Sequence, residues 1–309
     1  MRGLKIIPYN TKINFVGLRY VGFLITAFFM LVSAYSLATQ GLNYGIDFKG
    51  GFLLEIRTPT AMDLSNLRTQ LNGLGLGDVK LQEFGSNKDL LIRMESQPGG
   101  DAAQAKALDK IKASLGSEVD YRRVETVGAK VSDDLIENGL WALGFALVGM
   151  LLYVWFRFEW QYGVCGIIAL LHDAFAVVGF YSVSGMEFNE QAFAAILTTV
   201  GYSINDSVVV YDRLRENLRK YKTTPLRDVM NQATNETLSR TILTSSTTLL
   251  SLWALYWFGG SVIENFALPI LIGIVFGTFS SIFISVNLLY YFNLRRPKPD
   301  EITAESAQA

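Results

Sequence analysis

Apolar residues gather in six long stretches along the chain, separated by several short polar segments and one long one. The hydrocarbon core of a bilayer is about 30 Å thick, and an α-helix needs about 20 apolar residues to cross it. Each stretch is about that long, so the pattern predicts a polytopic membrane protein with six transmembrane helices. The predicted helices cover residues 20–38, 139–157, 162–184, 191–211, 241–259 and 265–291.

The long polar connection, residues 39–138, has a pattern of its own. Compact or alternating apolar runs indicate four strands, and helical spacing indicates a helix after the first strand and another after the third. Asp63 and Asp101 stand where a helix N-cap is expected. The order β-α-β-β-α-β is that of the ferredoxin-like, split βαβ arrangement, so we predict a small α+β domain of that class. The predicted strands are 50–57, 78–84, 89–95 and 119–127, and the predicted helices are 62–74 and 101–115.

Lys and Arg distinguish the two sides of the membrane, because short cytoplasmic loops are enriched in them. They are concentrated in the segment before the first helix, in the loop between helices 4 and 5 and at the start of the tail. The turns 185–190 and 259–264 hold Glu but no Lys or Arg, so they are expected outside. The predicted layout is a cytoplasmic N-terminus (1–19), transmembrane helix 1 (20–38), an external domain (39–138), helices 2–6 with a basic cytoplasmic loop 212–239 (139–292) and a cytoplasmic tail (293–309).

A cleaved signal peptide is the alternative reading of the first apolar stretch, since Ser36 and Ala38 fit a small-x-small cleavage site. The stretch is longer than the roughly 7–15 residues of a signal-peptide core. We therefore expect it to be retained. Met1 and the cationic start of the chain favour a separate subunit over one section of a fused gene.

Composition agrees with a membrane protein. Of 309 residues, 50% are hydrophobic and only 18% are charged, and the mean hydropathy is +0.27. The net charge of −1 gives no indication of nucleic acid or of an acidic substrate as a partner. Cys165, the single cysteine, lies in an apolar stretch and is interpreted as a small buried hydrophobe.

Asp206 is the strongest functional candidate, because an ionisable group inside a membrane span costs about 2.5–3.5 kcal/mol. Ser203 precedes it by three residues and belongs to the same helix face, with Thr199 and Tyr202. Arg240 begins a similar polar stripe on helix 5 that includes Thr244. Asp206 and Arg240 belong to the same half of the membrane, so we expect them to pair. The pair is either a static contact that docks two helices or a carboxylate that changes protonation beside a compensating arginine.

Three further polar residues are weaker candidates. His172 and Asp173 are adjacent in helix 3, so their side chains should point about 100° apart. His172 is either a proton relay or a partner in a helix–helix hydrogen bond, and Asp173 is a candidate for contact with helix 4 or with another subunit. Asp212, with Arg213, is a candidate for a cytoplasmic gate at the end of helix 4.

Catalytic motifs are absent from the sequence. It contains neither a Gly-rich phosphate loop nor a nucleophile elbow, and one histidine cannot supply a zinc site of the HExxH type. We therefore expect no enzyme activity, no cofactor and no metal. The energy available within such a chain is the membrane field and its proton gradient, about 2.3 kcal/mol per charge per 100 mV.

Several segments, in order along nearly the whole chain, resemble the SecF family of protein-export membrane proteins. VGYSINDSVVVYDRLREN at 200–217 resembles the most distinctive SecF signature, and NETLSRTILTSSTTLL at 235–250 resembles the segment after it. GIDFKGG at 45–51 resembles the family's Gly-Gly motif, while LLHD at 170–173 and MEFN at 186–189 fit the third helix and the following turn.

The resemblance implies one half of a twelve-helix bundle of the resistance-nodulation-division superfamily, in a bacterial or archaeal cell membrane. SecD supplies the other half, and the pair associates with the SecYEG channel, with YajC and YidC as further partners. Protons passing through the bundle drive movements that act on the translocating preprotein. In that family Asp206 matches the proton-handling aspartate and Arg240 the arginine implicated with it. Gly50 and Gly51 form the Gly-Gly motif, a tight Cβ-free passage from helix 1 into the first external strand.

Two other functions remain open at this point. The chain is alternatively a scaffold that holds SecD near the channel, with Asp206 and Arg240 as a packing pair. A half-sized exporter of small molecules or lipids from the same superfamily is the third hypothesis, and the small external segment of about 100 residues argues against it. Whether Asp206 changes its charge during turnover separates the first two hypotheses.

Overall fold

The computed structural model describes residues 11–60, 62–77, 79–84, 86–116, 118–292 and 294. The first ten residues and the tail from 295 onward, whose positive charges supported the predicted orientation, lie outside the described residues. So do the side chains of Asp101 and Glu264. The chain divides into two compact units, one of long helices and one built around residues 42–142 and 187–193.

Helices and strands follow one another in an order close to the predicted one. The elements are α1 (Arg19–Thr39), β1 (Asn43–Tyr44), α2 (Ile46–Lys49), β2 (Gly51–Arg57), α3 (Leu64–Asn72), β3 (Val79–Phe84), β4 (Ser86–Glu95), α4 (Gly100–Leu115), β5 (Asp120–Val127), α5 (Ala129–Arg157), α6 (Trp160–Ser184), β6 (Glu187–Phe188), α7 (Glu190–Lys220), α8 (Leu226–Phe258), α9 (Gly260–Ser280), a π-helical turn (Ser281–Ser285) and α10 (Val286–Leu289).

Five helical segments of the described chain are long and apolar enough to cross a membrane. They lie in α1, α5, α6 and α7 and in the continuous stretch Asn265–Leu289. Helix α8 is 33 residues long but is not among them. Its apolar residues are interrupted by a series of Thr and Ser between positions 241 and 251, which lowers its hydropathy. Its role as the remaining membrane helix, and with it the count of six, stays a prediction.

The segment 212–239, predicted as a loop, is almost entirely helical. Helix α7 continues to Lys220, and α8 begins at Leu226, so only residues 221–225 connect them. Residues 212–220 are rich in Arg, Glu, Leu and Lys, which favour helix in water as well as in a membrane. The prediction was wrong because the apolar stretch was taken to mark the end of the helix. The charged residues after position 211 end the apolar stretch, but the helix continues through them.

The second unit has the predicted β-α-β-β-α-β order. Four strands of this unit form one antiparallel sheet in the order β3-β4-β2-β5, so β2, the first of these four in the chain, lies between β4 and β5. Leu54 and Ile56 of β2 and Leu90 and Ile92 of β4 are fully buried, in a core shared with residues of α3 and α4. Asp63 caps α3 by accepting from the backbone N–H of Ser65, as predicted. The assignment of this sheet to the ferredoxin-like class stays a prediction.

A small two-stranded parallel sheet was not foreseen. Asn43 of β1 pairs with Glu187 of β6. The Glu187 carboxylate accepts a hydrogen bond from Arg93 of β4 and is almost fully buried. Burial raises the pKa of Glu187, although the charge of Arg93 opposes that effect. Strands of two residues carry no periodicity, so sequence alone could not reveal them.

Candidate functional site

Asp173 of α6 is the centre of a buried polar cluster. Its Oδ2 accepts hydrogen bonds from the Oγ of Ser203 on α7, at 2.5 Å, and from the Oγ of Ser280 at the end of α9, at 2.7 Å. All three residues are fully buried. One carboxylate oxygen therefore joins three helices, as expected of a membrane carboxylate that faces the bundle interior. The predicted contact of Asp173 with the fourth helix is confirmed.

Close packing of α7 against α9 brings the two serines together. A Cβ placed on Gly273 would lie 2.1 Å from Oγ1 of Thr199, and one on Gly277 would lie 3.0 Å from Cβ of Ser203. No side chain fits at position 273, and almost none at 277, so the two glycines let the helix backbones approach. Thr199 and Ser203, predicted to share a polar face of α7, therefore point at α9.

Ser280 is a member of the cluster that the sequence analysis missed. The π-helical turn Ser281–Ser285 follows it directly, and Ser281, Ser285 and Asn287 are fully buried as well. Turns of this kind inside α-helices are frequent at functional sites. Four polar residues within the most hydrophobic apolar stretch could have indicated a buried polar cluster. They were missed because the sequence criterion was an ionisable group inside a membrane span, and these residues carry no charge.

His172 contacts its neighbour in the chain. Its Nδ1 lies 2.9 Å from Oδ1 of Asp173, and the ring is 95% buried. The two side chains leave the helix at adjacent positions, about 100° apart, yet they meet because the His172 ring turns back toward the carboxylate. Nε2 of His172 is buried and has no hydrogen-bond partner among the described residues.

Asp206 lies one helical turn beyond Ser203 on the same buried face of α7. The residue is only 3% exposed, and its Oδ2 has no hydrogen-bond partner within the described chain. Ser245 of α8 and the charge of Arg240 both act on its carboxylate. No ion pair within 4.0 Å joins Asp206 to Arg240 among the described residues, so the expected direct pair is not present in this structure. Arg240 acts on the carboxylate from a distance.

The polar stripe predicted on α8 faces outward from the chain. Arg240, Thr247 and Ser251 are exposed, while Thr244 is half-buried. The hydroxyl of Thr244 donates to the backbone oxygen of Arg240 at 3.0 Å, and those of Thr247 and Ser251 donate to carbonyls one turn back. The buried polar residues described in this helix lie on another face: Thr234, Thr237, Thr241 and Ser245. Helix α8 thus presents a hydroxyl-lined side on which the hydroxyl bonds of Thr244, Thr247 and Ser251 stay within the helix.

Asp212 belongs to a different environment from Asp206. It is exposed and forms an ion pair with Arg157 of α5 at 2.8 Å, while Arg213 bonds Glu216 and Glu236 at 2.6 Å. These contacts tie the ends of α5, α7 and α8 at the surface of the unit. The structure does not bring Asp212 to the buried cluster, so its predicted role in a gate stays a prediction.

Gly51 occupies a place that only glycine fits. Its φ is +126°, and a Cβ there would lie 2.0 Å from the backbone oxygen of Met94 on β4. Gly50, with a φ of +68°, ends α2. The tight Cβ-free passage into β2 is confirmed for Gly51, but it does not follow helix 1 directly. The short elements β1 and α2 lie between them, and neither is long enough to give a sequence pattern.

Comparison with known families identifies this architecture. Residues 107–295 match the family of the C-terminal part of protein export membrane proteins SecD/SecF, and residues 35–58 match the SecD/SecF GG motif. The chain belongs to the SecD/SecF family. The GG-motif match covers Gly50 and Gly51, and the larger match covers Asp173, Asp206 and Arg240.

Curated relatives agree over almost the whole length. The protein translocase subunit SecF of Rickettsia felis is 43% identical over 297 residues, which is 95% of this chain and 96% of the relative. The protein translocase subunit SecF of Rickettsia prowazekii is 41% identical over 304 residues, covering 97% of each chain. The residues 200–217 and 235–250 that first indicated the family lie within these alignments.

Solved structures of SecDF share the fold. A crystal structure of SecDF from Thermus thermophilus, described as a translocon-associated membrane protein, superposes with a TM-score of 0.82 at 35% identity over 94% of this chain. A second, SecDF in its super-membrane-facing form, superposes with a TM-score of 0.66 at 36% identity over 97% of this chain. The chain spans 40% of the length of either solved SecDF chain.

Proposed function

We propose that this chain is the SecF half of a complex with SecD and uses the proton motive force to promote preprotein translocation through SecYEG and its late-stage release. The proposal places the chain as a multi-pass subunit in a bacterial or archaeal cell membrane, with six membrane helices and both termini in the cytoplasm. YajC and YidC are further proposed partners. The chain has no enzyme activity of its own in this scheme; the proton gradient is the source of work.

The observation that carries the proposal is the environment of Asp206. Its side chain is buried in a helix bundle, and one of its carboxylate oxygens has no hydrogen-bond partner among the described residues. An ionised carboxylate left in that condition is costly, whereas a protonated one is tolerated far better. Such a group favours exchange between two states, one neutral and one compensated by a cation. Arg240 is the cation whose charge already reaches it.

Asp173 supports the proposal as the structural neighbour of that switch. Ser203 bonds Asp173 and lies one turn from Asp206 on α7. A change of charge at Asp206 would rotate or shift α7 slightly. That movement would strain the hydrogen bond from Ser203 to Asp173. Ser280 would transmit the same change to α9. In this scheme Asp173 and His172 position the helices around the proton carrier.

SecD is proposed as the partner on the exposed side of α8. Arg240 and Ser251 lie on this side, and their exposure in a single chain is what an interface with a second bundle half requires. The exposed aromatic residues Trp253 and Trp257 continue the same helix. The solved SecDF chain is much longer than this one, in keeping with a second half supplied there by the same polypeptide.

The decisive experiment measures preprotein translocation into membrane vesicles that carry defined proton gradients. Asp206→Asn keeps the shape of the side chain but removes the titrating group, so we expect gradient stimulation to be lost while assembly with SecD is unchanged. Asp206→Glu should retain part of the stimulation. Asp228→Asn is the control, because it removes an exposed carboxylate in the first turn of α8, away from the buried cluster, and it should leave stimulation at the wild-type level.

A scaffold that only packs against SecD predicts another pattern. Removing either charge would then destabilise the complex, and replacing Asp206 and Arg240 together with uncharged residues would restore it. The double variant Asp206→Asn, Arg240→Met separates the two hypotheses. If it assembles but no longer responds to the gradient, the proton-carrier role holds. Gradient-dependent export by the double variant would exclude that role, because no titratable group would remain at the site.

A further inference from the structure

Strand β3 is an open edge of the four-stranded sheet. It pairs only with β4, through contacts such as Lys80 opposite Arg93 and Gln82 opposite Leu91. No hydrogen bond from the backbone of another described segment reaches β3 on its other side. The outward-pointing N–H and C=O groups of this edge are therefore available, and such a row is a template for one more strand.

A groove of about 460 Å³ runs along this edge, and its charge is positive. Arg68 of α3, Lys80 of β3 and Arg93 of β4 line it, whereas no Asp or Glu side chain of the described residues does. Glu187 meets the charge of Arg93. Arg68 and Lys80 are exposed and form no ion pair with any described residue. Two uncompensated cations thus flank an unpaired strand, a combination that suits a chain carrying carboxylates.

The opposite edge of the sheet, β5, is protected. Its charges pair with one another along the strand, Arg122 with Asp120 at 3.9 Å and Arg123 with Glu125. Its register against β2 also shifts between Glu55 and Ile56, and such irregularities discourage the addition of a strand. The two edges of one sheet therefore differ in the properties that govern strand addition. Only the β3 edge combines unpaired backbone groups with unmatched positive charge.

We infer that the β3 edge binds an extended polypeptide segment bearing carboxylate side chains, which adds to the sheet as a fifth strand. Main-chain hydrogen bonds to β3 supply affinity independent of sequence, and Arg68 and Lys80 favour segments with Asp or Glu at alternate positions. The inference rests on the proposed function in one respect: a translocating preprotein is the source of such extended segments. The external domain would then hold the polypeptide by its backbone, the only feature that all preproteins share.

The test uses the full chain purified in detergent together with SecD, and a fluorescent peptide in which Glu alternates with Val and Thr. We expect the peptide to bind, and a version with N-methyl groups on alternate residues to bind at least about tenfold more weakly, because methylation removes the strand-pairing donors. Lys80→Glu with Arg68→Glu should weaken binding about tenfold or more. The matched control is Lys106→Glu with Lys110→Glu, two exposed positions of α4, which should bind the peptide like wild type.

Two results would overturn the inference. Equal affinity for the plain and the N-methylated peptide would mean adhesion by charge alone. A photo-crosslinker in place of Gln82 that captures SecD whether or not peptide is present would mean that the edge is already covered; we expect peptide capture there and none from a crosslinker in place of Lys110. Gradient-driven translocation by the Asp206 variants is measured in a separate experiment. Absence of peptide binding would therefore leave the proton-coupling proposal intact, and absence of proton coupling would leave the peptide-binding inference intact.

Discussion

Ser203 of α7 donates a hydrogen bond to Asp173 of α6 across 2.5 Å of the bundle interior, and neither side chain reaches the surface. The contact matters because Ser203 lies three residues before Asp206 on the same helix. The candidate proton carrier and the buried aspartate are therefore connected by one turn of α7. We therefore expect a change of charge at either carboxylate to alter the packing of α7 against α6.

Removing the serine donors should destabilise the bundle more than additively. Ser203→Ala or Ser280→Ala leaves one donor on Oδ2 of Asp173, and we expect each to cost about 1 kcal/mol. The double variant leaves that oxygen buried without a donor, so its cost should exceed the sum of the two. Thermal unfolding of the purified chain in detergent measures all three. Ser251→Ala, which removes an exposed hydroxyl bonded within its own helix, is the control and should be near neutral. Strict additivity would mean that Asp173 finds other donors.

Gly51→Ala should disrupt the centre of the four-stranded sheet. The new Cβ would meet the backbone oxygen of Met94 at 2.0 Å, and backbone atoms cannot move aside as a flexible side chain does. We expect a loss of roughly 2–4 kcal/mol, seen as lost hydrogen-exchange protection in β2 and β4. Gly75→Ala is the control, because Gly75 also has a positive φ, +66°, but no atom lies within 4 Å of a Cβ there. It should cost about 1–2 kcal/mol. If both variants lose the same free energy of unfolding, the effect at Gly51 comes from its positive φ alone.

Acid should destabilise the unit that contains the four-stranded sheet, through Asp89. Arg57 donates hydrogen bonds of 2.5 and 2.7 Å to its carboxylate, and these bonds, with one from Ser86, hold the pKa of Asp89 well below its usual value. The stabilising contribution is present above the unfolded-state pKa of about 3.9 and is lost as pH falls from there through the folded-state pKa. Pepsin digestion should therefore accelerate below about pH 4. Asp89→Asn should be cut faster at all pH values with a flatter profile, while Asp109→Asn, on the exposed side of α4, should follow wild type.

Membrane orientation can be read with single cysteines, because the native Cys165 is fully buried and should not react. Cysteines in place of Asn87 and Ser261 should label with an impermeant reagent from outside. A cysteine in place of Thr223, in the short connection between α7 and α8, should label only after the membrane is opened. Labelling of position 223 from outside would contradict the six-helix layout.

The sequence by itself determined most of the long helices and the four strands of the larger sheet, since those depend on patterns that repeat within a few residues. The spacing of apolar residues located β2 to β5 within a few residues, and the length of the apolar runs located the long helices. Asp63 marked the start of α3 correctly because a cap acts on the next two or three residues. Charge patterning marked Asp206 as unusual. All of these are local properties, and the chain carries them wherever it folds.

Only the tertiary structure decided which polar groups meet. Ser280 reaches Asp173 from 107 positions away, and Glu187 reaches Arg93 from 94. The same packing turned the stripe with Arg240 outward, so the expected direct contact with Asp206 does not form. Periodicity tells which residues share a helix face, but not the direction in which that face points. That direction is set where backbones approach most closely, as Gly273 and Thr199 do, and such fits depend on two distant segments at once.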